Sequence, residues 1–89
     1  MKAIVTVLGR DRVGIIARVC VYLSNNGINI LDLSQTIVGG LFNMMMIVDL
    51  EKSEIAFEEA QDGLAALGDE IGLQIRLVRE DIFSAMHRI

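Results

Sequence analysis

The sequence predicts an α+β domain, and three observations carry that expectation. Segments of strand-like and helical apolar periodicity succeed one another in the order β-α-β-β-α-β. The two helical segments each carry a single apolar stripe, so each has one face to bury against a sheet. Gly39-Gly40 stands between the middle strands as a two-residue hairpin turn.

Residues 2–8 form the first predicted strand. Ala3, Val5 and Val7 fall on one face, Ile4 and Leu8 on the other, with Thr6. A strand apolar on both faces belongs in the middle of a sheet. A helix follows over 12–26. Ile16, Val19, Cys20, Leu23 and Gly27 make its stripe, Arg18, Tyr22 and Asn25 lie opposite, and Asp11 is its expected N-cap. Asn25-Asn26-Gly27 ends it, because these residues tolerate the left-handed conformation.

The second strand, 28–38, changes apolar phase near Leu31, which predicts a bulge. The third runs from Leu41 to Leu50, with Met44-Met45-Met46 as flexible apolar filler. A second helix spans 54–71, capped by Ser53, with Phe57, Ala60, Leu64, Leu67 and Ile71 inward. Gly63 inside it costs about 1 kcal/mol against alanine, which a close approach to the sheet would explain. The fourth strand is 73–79, with Leu73, Ile75 and Leu77 on one face and Gln74, Arg76 and Val78 on the other. Glu80-Asp81 open a short terminal helix whose apolar side is Ile82, Phe83, Met86 and Ile89.

Two right-handed crossovers joined by a hairpin give the ferredoxin-like βαββαβ sandwich. It has a four-stranded antiparallel sheet, two helices on one face, and the short C-terminal helix. Residues 1–89 are expected to be one domain, with 82–89 as its tail helix.

Composition narrows the function. A chain of 89 residues buries only roughly 60–65% of its unfolded surface. Its hydrophobic fraction of 53% exceeds the usual ~45–50%. The surplus calls for an interface, and a homodimer is the economical one. Net charge is −4, which argues against nucleic-acid binding. No apolar run is long enough to span a membrane, and no secretory signal is expected. The one cysteine, Cys20, rules out an internal disulfide framework and fits a cytoplasmic protein. It falls on the buried stripe, so it is expected to be a packed thiol. No metal site and no cofactor are expected. The sole histidine, His87, reads as a helix-end cation.

The most informative stretch is Gly9-Arg10-Asp11-Arg12-Val13-Gly14-Ile15-Ile16-Ala17, a strand-to-helix turn. The first amides of a helix lack intrahelical partners, and the helix dipole favours an anion before them. Gly14 lets a ligand or another backbone come close, and Arg10 and Arg12 add positive charge. A small carboxylate or phosphate fits such a turn. Each residue also has a plainer reading: Gly14 as a packing glycine, Arg10 and Arg12 as solvated charges, Asp11 as a cap, Asn29 as a turn closure.

Taken with Gly27-Ile28-Asn29-Ile30, this turn resembles that of the ACT domain, and the tail from Arg79 to Ile89 is similar to that of small stand-alone prokaryotic ACT proteins. One departure is Val13, where many members carry proline. The resemblance implies a non-catalytic regulatory module that pairs with itself and binds an amino acid at the seam, for a regulated enzyme or regulator. By motif it implies a ligand site at Arg10, Asp11, Arg12, Val13, Gly14, Ile15, Asn29 and Ile30, with Asp32 and Gln35 as weaker candidates.

Two other readings stand beside it. An acylphosphatase-like hydrolase on the same fold would use an arginine, Arg10 or Arg12, with Asn29, but that family's longer glycine-valine-phenylalanine-arginine loop pattern is absent. No nucleophile triad can be assembled around one terminal histidine. A purely structural, protein-interaction domain is the third.

Overall fold

A computed structural model describes residues 1–82. The elements are β1 (Lys2–Arg10), α1 (Ile15–Asn25), β2 (Asn29–Val38), β3 (Leu41–Asp49), α2 (Phe57–Ile71) and β4 (Gln74–Arg79). The strands lie in the order β2-β3-β1-β4. Every adjacent pair is antiparallel. This is the ferredoxin-like sandwich. The doubly apolar β1 is indeed interior to the sheet.

Strand alternation sorts the residues. Ala3, Val5 and Val7 of β1, Phe42, Met44, Met46 and Val48 of β3, and Ile75 and Leu77 of β4 join Ile15, Val19 and Leu23 of α1 and Ala60 and Leu64 of α2 in one core. Both helices therefore cover the same sheet face. The Met run splits as a strand must: Met44 and Met46 point inward, while Met45 is exposed on the open face. The bulge falls where β2 shifts register between Ile30 and Asp32. Gly39 and Gly40 have φ of 57° and 80°, the two left-handed positions of a type I′ turn.

Several expectations need correction. Helix α1 starts at Ile15 rather than at residue 12, and its N-cap is Gly14 with φ 88°, not Asp11. The amide of Asp11 donates to the carbonyl of Gly40 at 2.9 Å, which holds Asp11 to the hairpin as a continuation of β1. Helix α2 starts at Phe57 rather than 54, and Ser53 is not its cap. The Ser53 hydroxyl instead exchanges hydrogen bonds with the backbone of Ile55, a local turn that competes with the helix.

Tyr22 does not face solvent. It is half-buried against the core, and a Cβ on Gly63 would collide with its ring, so the glycine serves helix-helix contact and not the sheet. Gly68 makes the close approach to the strand: a Cβ there would sit 2.6 Å from the carbonyl oxygen of Leu73. Cys20 is half-buried at the margin of the core. Of the tail, residues 80–82 are helical. The expectations for Phe83, Met86, His87 and Ile89 lie outside the described residues.

Candidate functional site

The turn after β1 is held from three directions. At its start, Gly9 packs against Leu73, whose Cδ2 would have to move to admit a Cβ there. In its middle, the Asp11 amide is tied to Gly40, and Arg12 Nη1 donates to the carbonyl of Ile71 at 2.8 Å. At its end, Gly14 adopts the left-handed conformation and its carbonyl accepts from Arg18 N–H at 3.0 Å. A Cβ on Gly14 would meet nothing within 4 Å, so the glycine answers to backbone conformation and not to packing.

The consequence is a helix start with open donors. Among the described residues no side chain caps it, and no acidic residue lies in its first turn. Among the described residues, nothing accepts from the amides of Ile15, Ile16 and Ala17. The positive end of the α1 dipole therefore faces solvent unbalanced, an arrangement that attracts a carboxylate or phosphate.

The residues that carry these amides line a cleft of about 180 Å³. Asp11 and Arg12 supply its charged residues, residues 14–17 the wall from the start of α1, Gln35 and Ile37 the wall from β2, and Phe42 the remaining lining. Because β2 is an edge strand, the cleft opens along a sheet edge that is unpaired among the described residues. Leu33 and Ile37 on that edge are 38% and 52% exposed although they lie on the helix side of the sheet.

The structure brings together Asp11, Arg12, Gly14 and Ile15 from the predicted set, and promotes Gln35. It leaves out the others. Arg10 shares the open sheet face with Thr6 and Leu8. Val13 points outward, fully exposed, beside a small hollow of about 80 Å³ shared with Arg18 and Ile71. Asn29 and Ile30 lie at the opposite end of the sheet. Asn29 pairs with Asp49, which pairs with Lys2, whereas the turn begins at Arg10. Eight residues of β1 separate those levels, about 26 Å at ~3.3 Å per residue. Asp32 spends its carboxylate on the amide of Leu33 at 2.8 Å.

Asn29 and Ile30 border a different and larger cleft, about 680 Å³, with Ser24, Asp49, Glu51 and Lys52. It is the less suitable place for an anion. It adjoins the C-terminal, negative end of α1, and two carboxylates line it. Asp49 is already engaged, accepting from Glu51 N–H at 3.0 Å and pairing with the N-terminal amine at 3.5 Å. The Glu51 amide, ahead of the amine and Lys2, holds the Asp49 carboxyl below its ordinary range.

Ile16, Ala17, Ile37 and Phe42 line the smaller cleft and were not predicted. The hairpin turn carried a signal for the last two, since pairing across Gly39-Gly40 sets Ile37 opposite Phe42.

The family model of the ACT domain matches residues 2–78. The chain belongs to the ACT domain family. That family is one of regulatory ligand-binding modules. A UPF0237 protein of Bifidobacterium longum is 58% identical over 88 residues, covering 99% of this chain and 98% of the relative. An ACT domain protein from Streptococcus pneumoniae superposes with a TM-score of 0.82 at 36% identity, covering 98% of each chain. A formyltetrahydrofolate deformylase from Pseudomonas syringae pv. tomato shares the fold alone, at a TM-score of 0.79 and 20% identity. The match takes in 88% of this ACT domain but only 27% of that chain, so the same fold there forms part of a larger protein.

Proposed function

We propose that this ACT domain is a non-catalytic regulatory module of the cytoplasm, working as a homodimer that lodges an amino acid at its seam. The observation that carries this reading is the set of three open amides, Ile15, Ile16 and Ala17, facing a cleft whose outer wall is the free edge of β2. The amides receive the α-carboxylate. Asp11 and the Gln35 carbonyl are the acceptors available for the α-ammonium.

Pairing of two β2 edges about a two-fold axis explains the rest of the predicted set. Such edges run antiparallel, so the start of β2 in one copy meets the end of β2 in the other. With the axis at mid-strand, Asn29 and Ile30 of one copy lie beside Ile37 and Val38 of its mate, next to the mate's turn. The two halves of the set, far apart within one chain, then share one site. The same pairing covers Leu33 and Ile37 and satisfies an otherwise open strand edge. An occupied seam then presents an altered surface to a regulated enzyme or regulator.

The hydrolase alternative loses its geometry. Arg12 is bound to the Ile71 carbonyl, Arg10 faces the open side of the sheet, and Asn29 is at the far end, so the arginine-asparagine pair does not converge within one chain.

Titration calorimetry against the proteinogenic amino acids tests the reading, together with sedimentation equilibrium. The expected result is a dimer with one or a few amino acids binding in the micromolar to millimolar range. A monomer that gives no heat with any of them at millimolar concentration sinks it.

A further inference from the structure

Arg12 stands between the cleft and the end of α2. It lines the cleft together with Asp11 and Gly14, and also the small hollow that reaches Ile71. Its Nη1 donates to the carbonyl of Ile71, the last residue of α2. That helix has no basic residue in its own last turn, so the cation that its open carbonyls favour comes from the β1–α1 turn. The end is otherwise closed by Gly72 in the left-handed conformation, with the amides of Gly72 and Leu73 both donating to Gly68. One turn along α1, Arg18 pairs with Glu70 at 2.9 Å. Arg12 and Arg18 thus reach the same corner, but of the two only Arg12 borders the cleft.

We infer that Arg12 is the contact through which occupancy of the cleft reaches the α2–β4 corner. In the structure its guanidinium caps α2. A carboxylate held by the amides of residues 15–17 competes for that guanidinium, because a charge-assisted hydrogen bond is roughly twice as strong as one to a neutral carbonyl. When Arg12 turns to the carboxylate, Ile71 loses its donor and the last turn of α2 opens more readily. By linkage, whatever clamps the end of α2 also weakens binding in the cleft. The inference rests on the cleft being the carboxylate site proposed above, and it adds the direction in which the signal travels.

Amide hydrogen exchange and chemical shifts of the full-length protein test it, using glycine as the probe at millimolar concentration. Without glycine, Arg12→Gln is expected to speed exchange at Gly72 and Leu73 by roughly 2- to 10-fold, the effect of losing one modest hydrogen bond. Unchanged exchange there overturns the inference and leaves the binding reading untouched. With glycine, the wild type is expected to shift at Ile15, Ile16 and Ala17 and to exchange faster at Gly72 and Leu73. Arg12→Gln should lose the second response. Shifts at residues 15–17 with an unmoved α2 end defeat the coupling alone, whereas no shift at residues 15–17 defeats the coupling together with the carboxylate site as tested by glycine.

Discussion

The aromatic ring of Tyr22 on α1 occupies the notch that Gly63 leaves in α2. The carbonyl of Tyr22 also accepts from Asn26 Nδ2 at 2.8 Å, so the residue that anchors helix to helix also helps to close its own helix. Replacing Gly63 by alanine sets two effects against each other: about 1 kcal/mol gained in helix propensity and ~1–3 kcal/mol lost to overpacking. Gly63→Ala should therefore destabilise by about 1 kcal/mol in urea unfolding. In the background of Tyr22→Ala the same change should turn neutral or stabilising. A double-mutant cycle showing no coupling would contradict the contact.

Gly14 supports a separate expectation. Its φ of 88° is costly for a residue with a Cβ, yet there is open space around it. Gly14→Ala should cost about 1–2 kcal/mol through backbone conformation alone. Gly14→Asn should cost less, because asparagine tolerates this region better. Equal losses for the two, or a loss that grows with side-chain volume in a Ser, Asn, Leu series, would point to packing instead.

The free edge of β2 gives a test of assembly. Ile37 is half-exposed on the helix side of that strand, so Ile37→Lys should leave monomer stability within about 0.5 kcal/mol of wild type. If β2 edges pair, the lysine places two charges in the seam, and the sedimentation mass should fall from dimer to monomer. A dimer that survives this substitution and Leu33→Lys together uses another surface.

Asp49 predicts how stability responds to acid. Its carboxyl is held below the ordinary range, chiefly by the amide of Glu51 and then by the N-terminal amine and Lys2. A carboxylate depressed on folding adds stability that is fully present above its unfolded value of about 3.9. That increment is lost as pH falls through the lower folded value. Asp49→Asn should therefore melt below wild type at neutral pH. The gap should close as pH drops beneath the carboxylate range, since the wild type loses what the variant never had. A gap that is constant through that window, or that widens, would contradict this role for Asp49.

What could be read in the chain before folding is what local rules govern. Strand and helix order follow from the period of apolar residues, and the Gly39-Gly40 turn from backbone freedom. The irregularity beside Leu31 shows as a break in alternation. The cap of α1 could not be read this way. Asp11 satisfies every local requirement for a cap, but its amide is claimed by Gly40, 29 residues away, and the helix begins only after Gly14 has turned left-handed. Tyr22 looked outward because a helical wheel knows nothing of the notch at Gly63.

The candidate site divides along the same line. The strand-to-helix turn around Gly14 could be placed from sequence because a change from strand to helical period is local, but which amides stay open there could not, since Asp11 was the expected cap. Whether Asn29 joins that turn is not local: the order β2-β3-β1-β4 places it at the other end of the sheet, and Gln35, Ile37 and Phe42 at the cleft instead. Sequence alone determined which segments become helix or strand, because that depends on neighbours a few residues apart. Only tertiary structure decided which side chains share a cavity, because strand pairing joins residues dozens of positions apart.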